Sequence, residues 1–175
     1  RSINTAVLKL LDRSGSMSHD ELELAKHATL AIDLALENLR HVTSGSAAFP
    51  GYQQEVDILS PMGERAIAYA NRFAGLRSSG GTPLLPALLW AVDELVQRNE
   101  RRKMLFVITD GSPHLLDKCQ ETIERCWAGN IEVYGIIIGE NNKAMGEKLF
   151  PVSCCVNDIN GLAGALFNML QTQLL

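Results

Sequence analysis

Nothing in the chain approaches the roughly 18 consecutive apolar residues of a membrane-spanning helix, and no signal-peptide pattern is seen. Excess positive charge is also missing: 16 Lys and Arg stand against 20 Asp and Glu, a formal net charge of −4, with both signs interspersed. That balance gives no support to nucleic-acid binding or to an anionic membrane surface. Arg101-Arg102-Lys103 is the one basic run, and it reads as a solvated lead into the next strand. There is no Asn-X-Ser/Thr sequon and no cysteine pair that could clasp the two ends. The four cysteines are Cys119, Cys126, Cys154 and Cys155. Cys119 and Cys126 fall on one face of an expected helix but about 10 Å apart along its axis, too far to bond. Cys154 and Cys155 are adjacent in an expected strand and point to opposite faces. The pattern reads as reduced thiols in a cytoplasmic protein. No internal repeat or low-complexity linker interrupts the 175 residues, and 46% hydrophobic content is enough for a substantial core, so one domain over 1–175 is expected. Because it begins with Arg1 and not Met, the chain is read as the carboxyl-terminal piece of a longer protein.

What is present alternates. Ala6 to Leu11 is apolar except for Lys9, as in a strand buried between helices. From Asp20 to about Val42, Leu22, Ala25, Ala28 or Thr29, Ile32, Ala35 or Leu36, and Leu39 recur at helical spacing, with Ser18 and Glu21 forming a capping box. Gly45–Phe49 and Glu55–Leu59 read as short strands joined through Pro50-Gly51, and 65–76 as a helical turn. Thr82 fits an N-cap and Pro83 a first helical position, for a helix running to about Arg98. Lys103–Thr109 is a strand, 115–128 a helix, 131–139 a strand, 143–149 a helix, 153–156 a strand and 159–174 a helix. Such alternation implies a doubly wound α/β domain with a mostly parallel sheet.

Chemistry-bearing residues sit at the ends of three of these segments. Asp12-Arg13-Ser14-Gly15-Ser16 places one carboxylate and two hydroxyls at alternate positions directly after the first strand. Gly80-Gly81-Thr82 is a glycine-rich loop ending in a hydroxyl, and Thr109-Asp110-Gly111 ends an apolar strand in a carboxylate. Loops at the carboxyl ends of parallel strands open on a common crevice, so Asp12, Ser14, Ser16, Thr82 and Asp110 form one candidate metal site. Hydroxyl and carboxylate oxygens suit a hard cation: Mg²⁺, or another divalent ion such as Mn²⁺.

These residues resemble the metal-ion-dependent adhesion site of von Willebrand factor A domains, which has a DxSxS, a later Thr and a still later Asp in a TDG setting. All three parts occur here in order. The resemblance implies a six-stranded sheet of order 3-2-1-4-5-6 with strand three antiparallel. It also implies hydroxyl coordination by Ser14, Ser16 and Thr82, direct or water-mediated coordination by Asp12 and Asp110, and an open position for a partner's acidic group. The wording LLDRSGSM, GGTPLLPALLWAVDEL, RKMLFVITDGSP and IxGLAGALFNML is similar to the carboxyl-terminal A domain of the cobaltochelatase small-subunit type. That family implies an AAA+ ATPase partner and a large chelatase-type target in cobalamin biosynthesis, with no catalytic residue in the A domain. The stretch from Ser44 to Ser79 departs from it in lacking a long tryptophan-containing insertion.

Other readings have less to stand on. An extracellular or surface adhesion domain shares the same metal site. Asp12 is similar to the nucleophile of haloacid-dehalogenase-type phosphatases, but Ser14 stands where that pattern needs a second Asp. A hydrolase built on Ser14 or Ser16 with His114 and Asp110 is the other catalytic reading, but Ser14 lacks the preceding glycine of a nucleophile elbow and both serines are better explained as metal ligands. His114 reads as a solvated loop residue at the rim, Trp90 and Trp127 as packing residues, and Met17 as packing beneath the first loop.

Overall fold

The computed structural model describes residues 3–174, so Arg1 lies outside it. Six strands form one sheet: β1 (Thr5–Asp12), β2 (Val42–Phe49), β3 (Asp57–Ser60), β4 (Arg102–Thr109), β5 (Ile131–Ile138) and β6 (Val152–Val156). Their order is β3-β2-β1-β4-β5-β6, with every pairing parallel except β2–β3. This is the doubly wound order expected, with strand three antiparallel. All eight residues of β1 are buried, because the strand lies mid-sheet with helices over both faces.

Period-two alternation divides the core. Val7 and Leu11 on β1 and Met104, Phe106 and Ile108 on β4 pack with α1 (His19–Glu37), α2 (Ala70–Gly75) and α6 (Leu162–Leu174). Ala6, Leu8 and Leu10, with Leu105 and Val107, face α3 (Leu84–Val96), α4 (Leu116–Ala128) and α5 (Lys143–Leu149). Cys119 and Cys126 are buried in this second layer, and burial pushes the Cys119 thiol up to about 11. Cys154 packs against the first layer and Cys155 against the second, the opposite faces expected of neighbours on a strand. Met17 is buried beneath the first loop, and Trp127 packs edge-on against Tyr134. Among the described residues no helix is long and apolar enough to cross a membrane.

Several boundaries differ from the sequence reading. The capping box at Ser18 and Glu21 starts α1, but the helix stops at Glu37 instead of reaching Val42. His41 adopts a left-handed conformation, φ +69°, and its carbonyl accepts from Thr5 N at 2.7 Å. The chain therefore turns at His41, and β2 begins at Val42, three residues before the expected Gly45. Pro83, not Thr82, holds the N-cap position of α3, and no side chain caps that helix. Leu84 N donates to Thr82 O at 2.9 Å, so the Thr82 backbone takes part in the turn while its hydroxyl is left out of the capping role. Lys9, the interruption in the first strand, meets Asp33 of α1 at 2.5 Å with both side chains sealed from solvent.

Candidate metal centre

β1 delivers Asp12 to the carboxyl edge of the sheet beside the end of β4. Asp12 Oδ1 accepts from Ser14 N at 2.7 Å, the local turn in which an Asp side chain takes the backbone N–H two residues on. Its Oδ2 accepts from Thr109 Oγ1 at 2.7 Å. The carboxylate is thus fixed from both its own loop and the neighbouring strand. Ser14 Oγ and Ser16 Oγ lie 2.9 Å apart. Asp110 Oδ1 accepts from Ser16 Oγ at 2.8 Å and from Ser14 Oγ at 3.5 Å.

Backbone bonds lace three loops into one floor. Gly15 N donates to Gly80 O at 2.9 Å and Ser79 N to Arg13 O at 2.8 Å, tying the first loop to the glycine-rich one. Gly80 adopts φ +77°, a conformation for which glycine carries no steric penalty. His114 N donates to Thr82 O at 3.1 Å, tying the glycine-rich loop to the segment after β4. The Thr82 hydroxyl lies 3.9 Å from the point where a Cβ on Gly111 would stand. It therefore faces the Asp110-Gly111 turn.

Of the five residues expected from sequence, Ser14, Ser16 and Asp110 are in direct hydrogen-bond contact. Asp12 joins them through the Ser14 amide, and Thr82 lies at the same turn without a side-chain bond to the others. Asp12, Ser14 and Thr82 are buried, whereas Ser16 is exposed and Asp110 half-buried, so the cluster opens outward on the Ser16–Asp110 side. Burial, followed by the nearby Asp12 charge, raises the Asp110 carboxyl above its ordinary value, while the Ser16 hydroxyl opposes that rise. His114 is exposed at the rim, its ring against Gly81, where an added Cβ would come within 2.8 Å of His114 Cε1.

Two supporting residues escaped the sequence reading as site residues. Thr109 orients Asp12, and its place before Asp110 in the TDG run was the available signal. Asn142 donates to Asp110 O at 2.6 Å and to Ile138 O at 3.0 Å, fixing the β4 end against the β5 end. No sequence feature marked it. The donor set is hydroxyl and carboxylate oxygen, the chemistry of a hard divalent cation. Among the described residues neither Asp12 nor Asp110 has a Lys, Arg or His ion-pair partner. Two carboxylates at one partly dry site without a cation of the protein's own fit a bound dication. Among the described residues no group of three or more His, Cys, Asp or Glu side chains is placed to hold a metal. The other oxygens at the cluster are the Ser14 and Ser16 hydroxyls, with the Thr82 hydroxyl at the same turn.

The profile of the von Willebrand factor type A domain matches residues 7–112, and the chain belongs to that family of protein-interaction domains. No curated protein matches the chain. Among solved structures, it is similar to proximal thread matrix protein 1 from the mussel byssus, with 15% identity and a TM-score of 0.79 over 99% of this chain and 49% of that one. It is also similar to the pilus adhesin SpaC from Lactobacillus rhamnosus GG in its open conformation, with 13% identity and a TM-score of 0.84 over 99% and 30%. The manganese-loaded Plasmodium vivax TRAP protein aligns with 16% identity and a TM-score of 0.70 over 93% and 72%. The chain thus spans about half of the mussel protein and under a third of SpaC. At these identities the likeness is one of fold.

Proposed function

We propose that this chain is a divalent-cation-dependent docking domain, with Mg²⁺ or Mn²⁺ held by Asp12, Ser14, Ser16, Thr82 and Asp110. The observation that carries the proposal is the convergence of three laced loops on one outward-opening cluster of oxygens that lacks a cation of its own. When bound, the ion supplies an electrophilic centre for an anionic oxygen of a partner protein, strengthened where the surroundings are dry. The chain's own residues do the positioning: Thr109 and the Ser14 amide fix Asp12, Asn142 fixes the Asp110 backbone, and the glycine-rich loop brings Thr82 to the same turn.

The partner in this reading is a cytoplasmic AAA+ ATPase subunit serving a large chelatase-type target, with metal insertion in cobalamin biosynthesis as the specific setting. The four cobaltochelatase-like stretches and the absence of sequons and of a terminal cysteine pair support it. The domain acts as a non-catalytic subunit. A second reading, surface adhesion, is favoured by the fold likeness to the pilus adhesin SpaC and to the pilus tip protein Mfa5 from Porphyromonas gingivalis. The same metal centre would then take an acidic group of an extracellular ligand.

Asp12→Ala and Thr82→Ala are expected to abolish Mg²⁺ binding in titration calorimetry while circular dichroism stays native. Undiminished affinity in both variants would remove the metal reading. To separate the two settings, the domain is mixed with the AAA+ ATPase encoded beside its gene. Mg²⁺-dependent co-elution that Asp12→Ala abolishes supports the chelatase-like reading, and a gene encoding a leader peptide without such a neighbour favours adhesion.

A further inference from the structure

Next to the metal centre a cleft of about 850 Å³ is bounded by β3, α2 and the loops carrying Arg13 and Ser79, a volume typical of ligand sites. Three arginines line it, Arg13, Arg72 and Arg77, against the single acidic side chain of Asp57. The cleft is therefore net positive on a chain whose formal charge is −4.

Arg13 is only 7% exposed. Its Nη1 donates to Asp57 Oδ2 at 3.3 Å, but its Nε is enclosed and has no acceptor among the described residues. Asp57 is itself shared, accepting from Tyr52 N at 3.0 Å and from Gln54 Nε2 at 3.4 Å. One divided carboxylate leaves a buried guanidinium short of acceptors, and such groups normally have theirs filled. Arg72 Nη1 donates to Ile58 O at 3.1 Å, and Arg77 Nη1 to Ala74 O at 2.9 Å. Backbone carbonyls thus hold both guanidinium groups in place without neutralising them. Neither forms an ion pair among the described residues.

We propose that this cleft binds an acidic segment of the partner protein, continuing from the residue that occupies the metal centre. The proposal deepens the docking reading and rests on it for the first carboxylate. Arg13 lies between Asp12 and Ser14, lines the cleft, and accepts through its carbonyl from Ser79 N, so the first loop is shared by the cleft and the centre. A guanidinium fork matches carboxylate geometry in two parallel hydrogen bonds, which favours arginine over lysine here. The exposed ring of Tyr52 and the apolar side chains of the cleft suit a peptide, whereas nucleic acid binding rests on many phosphate contacts along a basic stripe.

The test uses fluorescein-labelled hexaglutamate, with anisotropy measured at low salt in Mg²⁺, and the double variant Arg72→Gln/Arg77→Gln, whose two positions are exposed and outside the metal centre. The variant is expected to bind the peptide at least tenfold more weakly, with Mg²⁺ affinity unchanged and partial recovery in Arg72→Lys/Arg77→Lys. Peptide affinity within twofold of wild type, with Mg²⁺ binding intact, overturns the proposal. So does absence of hexaglutamate binding to the wild type, or equal binding of hexathymidylate. Arginine-dependent peptide binding that survives EDTA, in a protein that calorimetry shows takes up no Mg²⁺, sustains the cleft and removes the metal reading.

Discussion

Halfway along β1, Lys9 meets Asp33 at 2.5 Å, and Asp33 also accepts from Ser46 Oγ at 2.5 Å, all three side chains being buried. Three residues further on, at the end of the same strand, Asp12 is equally buried, and each of its oxygens accepts one hydrogen bond, from an amide and from a hydroxyl. Asp110 completes that second cluster with serine hydroxyls. Inside the layers the protein carries its own cation for a buried carboxylate; at the loop edge, among the described residues, Asp12 and Asp110 pair with none. A buried charge needs compensation wherever it lies, so the two clusters differ in where it comes from: a lysine of the chain at Asp33 and, in the docking function proposed above, an ion from solution at Asp12 and Asp110.

Removing one side of the internal pair has the largest expected effect. Asp33→Ala leaves the Lys9 ammonium uncompensated and should lower unfolding free energy by about 3–5 kcal/mol in denaturant titrations, whereas Lys9→Met/Asp33→Leu should recover most of that loss. If the double variant is as unstable as the single one, the pair is not the source. At the loop edge the expectation reverses. Asp110→Asn should be as stable as wild type in EDTA, because it relieves repulsion from Asp12, yet fail to gain the ~2.7 kcal/mol that a ligand at a hundred times its dissociation constant confers. Thermal melts with and without Mg²⁺ read both halves, and equal Mg²⁺ stabilisation of the two proteins would erase the contrast between the clusters.

The smallest effect belongs to a pair in contact with water. Arg98 donates to Glu100 through Nε and Nη2 and holds that carboxyl down to about 2, against an unfolded value of about 4.3. A depressed folded pKa gives stability that is complete above about pH 4.3 and lost as pH falls toward 2. Glu100→Gln should flatten the acid limb of the stability profile by no more than about 1 kcal/mol, since the pair is partly solvated. An unchanged profile would show that this pair contributes nothing measurable.

Local signals were readable where chemistry acts within a few residues. The apolar run of β1, the Ser18–Glu21 capping box and the alternation of strands with helices announced the layered sheet, and the DxSxS, GGT and TDG segments marked the candidate residues that the fold gathers at one edge of it. The end of α1 was not readable, because Leu39 continues the helical period although it is exposed in the structure, and no Gly or Pro marks the turn at His41. Pairing of Val42 with Thr5 decides that boundary. Lys9 looked like a blemish in an apolar strand until Asp33, 24 positions away, was seen beside it. Arg13 was passed over for a similar reason: its partner Asp57 and the neighbouring Arg72 and Arg77 come from distant segments.

By itself the sequence determined which oxygens stand at strand ends and which strands alternate with helices, because periodicity and capping are local properties of the backbone. The tertiary structure alone decided which buried charges have a partner within the chain. Ion pairs depend on distances set by packing between remote segments, and among the described residues those distances pair a lysine with Asp33, pair no cation with Asp12, and gather three arginines in the cleft that Arg13 lines.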